Sequence, residues 1–322
     1  MPPTLMRAIV QHGFGGPEVL RLERVPLPEP LPTEILVRVH AAGVNPVDWK
    51  TRAGSGMAGV LGEAPFIPGW DVSGVVEEVG FGVNRFRPGD EVYGMPWVPR
   101  AAGAYAEYVT APSRQFARKP AAVGHVQAAA VPLAALTAWQ ALTDTAHLQA
   151  GQRVLIHAAA GGVGHLAVQF AKHLGAQVIA TASGARHGWL TELGADELID
   201  YTAVPFEQAA KDVDVVLDLV GDDHENTSHR SLEVFRPGGL IIAVPSGVSP
   251  QLLSAADARG LRASAFLVEP DGTALTRIAE LIDSGKVRVQ VEGDFELEQA
   301  AEAHVRGETG HTRGKLVLRL AS

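Results

Sequence analysis

The segment VLIHAAAGGVGHLAVQFAKHLGA, residues 154–176, constrains the fold of this chain more than any other. An apolar run enters Ala158-Ala159-Ala160-Gly161-Gly162-Val163-Gly164 and leaves directly into a helical pattern. A run without polar alternation is a strand buried on both faces, which belongs to a parallel sheet covered by helices. The turn after it is made of small residues, as a turn must be when its backbone approaches a ligand. Ala158 and Gly161 leave room for a pyrophosphate, and Gly164 lets the helix pack closely onto the strand. The N–H groups around Gly162 and Val163, at the positive end of the helix dipole, then receive the anion. A further strand follows within about 30 residues, which separates this turn from a glycine turn that serves packing alone. Ala158, Gly161, Gly162, Val163 and Gly164 are the expected dinucleotide-binding turn.

The next strand decides which dinucleotide. Units that bind NAD usually end it with an acid for the ribose hydroxyls, whereas NADP sites carry small residues and a cation. Here it ends Ala180-Thr181-Ala182-Ser183-Gly184-Ala185-Arg186, without Asp or Glu. Ser183 is placed to donate to a 2′-phosphate, and Arg186 offers a planar fork that matches it. Tyr201, after the third strand, adds a phenolic hydroxyl. The expected cofactor is NADPH. Ligands in such sheets lie at the strand ends, so backbone at Val244, Pro245, Ser246, Phe266 and Leu267 is expected to hold the nicotinamide carboxamide.

With 322 residues the chain is long enough for about two domains. Up to about residue 120 the text reads as short strands between turns, at 7–10, 34–40, 74–79, 90–93 and 104–109. Alternation such as Ile35-Leu36-Val37-Arg38-Val39-His40 argues for half-buried antiparallel strands in a barrel or sandwich. From about residue 126 a helical stretch leads into alternating strands and helices, with strands at 153–157, 177–181, 197–200, 213–219, 240–244 and 261–268. A helix at 274–284 and a strand at 316–320 resume the texture of the first part. The expected fold class is α/β, with a doubly wound parallel-sheet (Rossmann) domain at 123–268. A β-rich domain is expected at 1–122, to which residues 269–322 return.

The charge balance excludes several classes. Net charge is −9, which repels phosphate polymers and anionic headgroups, so no nucleic-acid or membrane partner is expected. Cysteine is absent, which removes disulfides, cysteine nucleophiles and thiolate metal sites. No apolar run is long and unbroken enough for a membrane span. The first residues lack the pattern of a secretory leader, so a cytoplasmic location is expected. The run Asp222-Asp223-His224-Glu225 with His229 reads as a solvated loop rather than a metal site.

Beyond the glycine turn, motifs in a fixed order extend over essentially the whole length. They are AAGVNPVDWKTRAG (41–54), PFIPGWDVSGVVEEVG (65–80), FRPGDEVYG (86–94), GAYAEYV (103–109), AALTAWQAL (134–142), LGADELIDY (193–201), DVVLDLVG (214–221), FRPGGLI (235–241) and HTRGKLVL (311–318). In these the chain resembles the zinc-independent, zeta-crystallin-like quinone oxidoreductases of the medium-chain dehydrogenase/reductase superfamily. The resemblance implies that the β-rich domain is GroES-like, that the active site lies in the cleft between domains, and that the enzyme is a homodimer joined near residues 261–268. In the zinc alcohol dehydrogenases of this superfamily a Cys stands where this chain has Asn45, and a His-Glu pair where it has Trp70-Asp71. Without those ligands no catalytic metal is expected.

Without a metal, negative charge developing on the acceptor must be met by hydrogen-bond donors or a protein cation. Quinones and α,β-unsaturated carbonyls spread the incoming charge over a conjugated system, whereas a saturated ketone concentrates it on one oxygen. By resemblance, Asn45 sits beside the nicotinamide, and Lys50 stands where many family members carry a Tyr near the substrate. Lys50 is expected to stabilise charge or donate a proton, with Asp48 orienting it or a backbone turn. Thr137 matches a family threonine near the nicotinamide. Arg313 and Lys315 either reach the cofactor phosphates or the cleft, or lie at a strand edge on the surface. Trp49, Trp70, Tyr93 and Trp97 either line an acceptor pocket or belong to the core. The expected activity is NADPH-dependent reduction of quinones or conjugated carbonyls. The alternatives are an enoyl or alkenal C=C reductase of a biosynthetic pathway, or a cofactor-binding protein without turnover.

Overall fold

The structure, a computed structural model, describes residues 4–222, 225–245 and 247–320. The chain divides into two compact units. The first comprises residues 1–136, 269–285 and 289–322; the second comprises 137–268 and 286–288.

In the first unit the strands are β1 (Leu5–Gln11), β2 (Leu20–Pro26), β3 (Glu34–Val44), β4 (Val72–Val79), β5 (Glu91–Gly94), β6 (Tyr108–Pro112) and β7 (Phe116–Arg118). The second unit contributes β8 (Arg153–Ile156), β9 (Gln177–Ala182), β10 (Glu197–Asp200), β11 (Val213–Asp218), β12 (Phe235–Ala243) and β13 (Arg262–Ala265). The chain then adds β14 (Val291–Glu296) and β15 (Lys315–Arg319) to the first unit.

The sheet of the second unit runs β10-β9-β8-β11-β12-β13, every pair parallel. Order reverses between β8 and β11, the arrangement of dinucleotide-binding folds with their ligand at the switch point. Val213–Asp218 is buried at every residue, as a central strand covered on both faces must be. Leu155, Ile179, Val216 and Ile241 from neighbouring strands meet Phe206 and Leu252 from the covering helices in one core.

The first unit is built around β3, which pairs antiparallel with β4, β6 and β15. Its order is β14-β15-β3-β4-β5-β7, with β1 and β2 as a separate hairpin. The first boundary falls after Leu136 rather than after residue 122. The reason is apolar: Ala129 and Ala130, beyond residue 122, pack with Ala41 of β3 and Val317 of β15. Residues 286–288 also leave the returning segment, because the Gln169 side chain hydrogen-bonds the backbone of Arg288 through both its amide atoms.

Candidate functional site

In the second unit β8 ends at Ile156, and the helix Gly164–His173 begins after the turn. Ala158 adopts a left-handed backbone (φ 47°), strained for a residue with a Cβ. A Cβ at Gly164 would lie 2.4 Å from the Ala158 carbonyl oxygen and 2.6 Å from the Ala159 Cα, so only glycine allows this approach of helix to turn. The residue before the helix is Val163, which offers no side-chain cap, and the first turn carries no acid. Its N–H groups are not answered by a carboxylate of their own, the state that an anion-binding helix start requires.

Ser183 is half-buried and precedes a single helical turn, Gly184–Arg186, with Arg186 half-buried and Tyr201 55% exposed. One group here escaped the sequence reading. Asp200, the last residue of β10, accepts a hydrogen bond from the Gly184 N–H at 2.9 Å. Hydrogen bonds from the Thr202 hydroxyl, its N–H and the Gly184 N–H hold this carboxyl below its usual range. An acid does stand beside Ser183, supplied by the third strand rather than the second. Val244 follows β12 and donates its N–H to the Asp218 carbonyl. Ser246 lies outside the described residues. Phe266 is half-buried, and Leu267 is 52% exposed. Thr137 is buried in the helix Pro132–Gln140.

The first unit gathers a different kind of cluster. Because β3 runs antiparallel to both β4 and β15, its C-terminal end meets the N-terminal ends of the other two. Asn45, Asp71 and Lys315, distant in sequence, therefore fall together at three adjoining strand ends. All are buried, at 1%, 0% and 3% exposure. The Lys315 ammonium donates to the Val44 carbonyl at 3.0 Å and to Asn45 Oδ1, and lies 3.5 Å from Asp71 Oδ2. Asp71 Oδ2 accepts from Asn45 Nδ2 at 2.8 Å, and Oδ1 accepts from the Leu133 N–H at 2.7 Å. Burial pushes the Asp71 carboxyl up and the Lys315 ammonium down, while each charge holds its partner against that drift. An acceptor for every ammonium proton and donors on both carboxylate oxygens match the ionised pair. Gly43 makes the approach possible, since a Cβ there would lie 2.6 Å from Asp71 Oδ2.

This corrects the expectations for Lys315. Its protons are engaged by oxygens of the first unit, so it is neither a free phosphate ligand nor a surface residue. Arg313 is half-buried, and its N–H donates to the Glu292 carboxylate.

Asn45 also starts the helix Pro46–Arg52, with Pro46 at the first helical position. Asp48, three residues on, accepts the Asn45 N–H at 2.7 Å, the reach-back half of a capping box. The same oxygen, Oδ2, accepts the Tyr105 hydroxyl at 2.9 Å, while Oδ1 is buried without a partner among the described residues. Tyr105 Oη lies 3.2 Å from His304 Nε2, and Arg52 approaches His304 Nδ1 at 3.4 Å. Since Tyr105 donates to Asp48 and Arg52 can only donate, the tautomer follows: His304 gives its Nε2–H to Tyr105 and accepts at Nδ1. Burial pushes the His304 pKa down to about 3 and the Asp48 carboxyl up to about 7, against the pull of its hydrogen bonds. Asp48 therefore orients the turn at Asn45 and makes no bond to Lys50. The Lys50 ammonium is half-buried and has no hydrogen-bond or ion-pair partner among the described residues.

Of the four aromatics, Tyr93 is fully buried with its hydroxyl on the Leu275 carbonyl, and Trp70 is 2% exposed with its indole N–H on the Arg100 carbonyl. Both belong to the core. Trp49 and Trp97 pack at the margin of the apolar cluster that holds Val37, Val72 and Tyr105. Sequence reasoning missed Arg52, Tyr105 and His304 as members of one network. A lone histidine in the helix Ala300–Glu308 gives no sign of its distant partners.

The fold and these two constellations define a class: a dinucleotide-binding oxidoreductase with a GroES-like unit. Comparison with known proteins sharpens it. Residues 31–121 match the family model described as alcohol dehydrogenase GroES-like domain, and residues 193–318 match that described as zinc-binding dehydrogenase. An NADPH-dependent alkenal/one oxidoreductase of Arabidopsis thaliana chloroplasts is 36% identical, over 98% of this chain and 80% of the relative. The solved quinone oxidoreductase of Coxiella burnetii is 39% identical with a TM-score of 0.90, covering 98% of this chain and 99% of that one. The Escherichia coli quinone oxidoreductase, solved with NADPH, is 30% identical with a TM-score of 0.85, covering 97% and 99%. The chain belongs to the zeta-crystallin-like quinone oxidoreductases of the medium-chain dehydrogenase/reductase superfamily.

The catalytic zinc of the alcohol dehydrogenases does not fit here. The thiolate donor is missing, and an ammonium hydrogen-bonded to Asn45 and Asp71 holds positive charge where those residues meet. The dinucleotide does fit: a strained turn, a glycine without room for a Cβ and an uncapped helix start form its cradle.

Proposed function

We propose that the protein is an NADPH-dependent, zinc-independent reductase that transfers hydride to quinones or α,β-unsaturated carbonyls. The observation that carries this reading is the presence in one chain of an intact dinucleotide turn and of a buried ammonium–amide–carboxylate cluster in place of zinc ligands. Bound NADPH supplies the hydride, with its two electrons. The helix start around Gly161, Gly162, Val163 and Gly164 receives the pyrophosphate, and Ser183, Arg186 and Tyr201 receive the 2′-phosphate. Thr137, Val244, Phe266 and Leu267 bind the nicotinamide end. Asn45 meets charge developing on the acceptor oxygen, and Lys50, with its unengaged ammonium, donates to the same oxygen. A conjugated acceptor suits such a site because hydrogen bonds from an amide and an ammonium suffice for a delocalised anion.

Following consumption of reduced cofactor across a panel of quinones, enones and saturated ketones tests the reading. Turnover of the first two under NADPH, with little under NADH and none of the ketones, is expected. Tight NADPH binding without turnover of any acceptor supports the non-catalytic alternative instead.

The assembly is proposed as a homodimer. Among the described residues β13 pairs with β12 alone and leaves its other edge open, and pairing two such edges would extend one sheet across two copies. Sedimentation of the wild type against Ser264→Pro, which removes a backbone donor from β13, tests this. A cytoplasmic location belongs to the same proposal; among the described residues no helix is long and apolar enough to cross a membrane. Cell fractionation tests it.

A further inference from the structure

Two groups with opposite bonding rules converge on the Asn45 amide. Lysine can only donate and an ionised aspartate can only accept, so Lys315 on Oδ1 and Asp71 on Nδ2 leave the amide one orientation and forbid its flip. A primary amide has two N–H groups. One is held by Asp71; the second has no partner among the described residues, although Asn45 is 1% exposed. A cation on the amide oxygen draws electron density from the nitrogen and strengthens that second N–H as a donor, and the low local dielectric amplifies the effect.

We infer that Lys315 is a positioning residue for hydride transfer, supplying through the Asn45 amide the positive charge that zinc supplies in the metal-dependent alcohol dehydrogenases. The inference rests on the proposed reduction. In that reaction hydride forms a C–H bond at the β-carbon of an enone and leaves the oxidised nicotinamide. The C=C electron pair moves to make an enolate, whose oxygen accepts the free Asn45 N–H. A proton from solvent then completes the saturated carbonyl at the α-carbon. Lys315 touches neither substrate nor cofactor and gives up no proton; its charge acts on the amide that does the binding.

A merely structural role makes a different prediction, because Lys315 also neutralises the buried Asp71. Lys315→Met leaves that carboxylate unpaired, whereas Lys315→Met with Asp71→Asn removes both charges. The measurements are thermal unfolding, NADPH affinity by fluorescence titration without turnover, and kcat and KM for one enone. Lys315→Met is expected to lower both Tm and kcat, the latter by about a hundredfold, the scale of losing an oxyanion donor, with NADPH affinity unchanged. The double variant is expected to recover Tm but not kcat, and Lys315→Arg to recover part of kcat because charge returns. Should Lys315→Met fail to fold, the neutral double variant and Lys315→Arg carry the comparison. Recovery of kcat together with Tm in the double variant overturns the inference, as does a change confined to NADPH affinity. A wild type that binds NADPH but reduces no acceptor overturns the proposed function itself, and is told apart by needing no variant.

Discussion

The two units assemble their chemistry in opposite ways. The second concentrates it in one continuous stretch, where strand, turn and helix start follow within a few residues of Ala158. The first collects Asn45, Asp71 and Lys315 from three strand ends, and adds Tyr105 and His304 from two further segments around Asp48, on the helix that Asn45 starts. A local turn depends on backbone shape, so it fails when a side chain is added. A gathered cluster depends on balanced charge, so it responds to pH and to the loss of a partner. The contrast predicts that one half will tolerate few added atoms and the other few lost charges.

The hardest break falls on the local side. Gly164→Val forces a Cβ to within 2.4 Å of the Ala158 carbonyl and 2.6 Å of the Ala159 Cα, both backbone atoms that cannot step aside. Overpacking of this kind typically costs about 1–3 kcal/mol. Loss of measurable NADPH binding by titration is expected, with a lowered unfolding temperature. Unchanged binding would show that the helix start adapts and that its packing is not what shapes the cradle.

The gathered side gives the next largest effect, and here the sign is definite. The folded Asp48 carboxyl is raised to about 7, well above the range of an unfolded aspartate near 3.8. Between those values the folded protein keeps a proton that the unfolded chain has lost, so stability falls as pH rises through that window. Below it both states are protonated, and above it both are ionised. A shift of roughly three units corresponds to about 4 kcal/mol across the window. Asp48→Asn keeps an oxygen acceptor for Asn45 and Tyr105 but does not titrate. Denaturant melts at successive pH values are expected to show the variant gaining on wild type from about pH 4 to about pH 7; parallel profiles would place the Asp48 carboxyl in its ordinary range.

The same contrast governs what could be read before the fold was known. The glycine turn and the strands around it were legible because burial without alternation, followed by small residues and a helix, is a local pattern. The family resemblance extended that reading to Asn45 and Lys50. Nothing local marks Lys315 as a buried ammonium, because GKLVL reads equally as an edge strand beginning in solvent. Its burial follows only from the pairing of Leu316 with Val44. For the same reason the local pattern suggests a boundary at 122 rather than near 136, since Ala129 and Ala130 find their apolar partners on β3 and β15. β14 escaped notice because Val291–Glu296 is short and carries three acids, and its parallel partner lies beyond an intervening helix.

Finer effects sharpen the reading of the cofactor. Arg186→Ala removes a guanidinium expected at the 2′-phosphate, and a charge-assisted bond of that kind contributes about 1.5–3 kcal/mol. Preference for NADPH over NADH, measured as a ratio of kcat/KM, is expected to fall by at least about tenfold. An unchanged ratio would move the selective group elsewhere.

The smallest effect is expected at Asp200, the acid that sequence reading did not place. Its carboxylate, held ionised by Thr202 and Gly184, faces the turn where a 2′-phosphate is proposed to bind. Like charges near solvent repel weakly and are screened by salt. Asp200→Asn keeps an acceptor for the Gly184 N–H while removing the charge. A gain in NADPH affinity of about twofold at low ionic strength, shrinking as salt is added, is expected from titration. NADH affinity should stay level, because that cofactor brings no second phosphate charge to the ribose. A loss of NADPH affinity would instead assign the carboxylate a ribose-holding role, and the second unit would then select its cofactor by shape at the turn rather than by charge beside it.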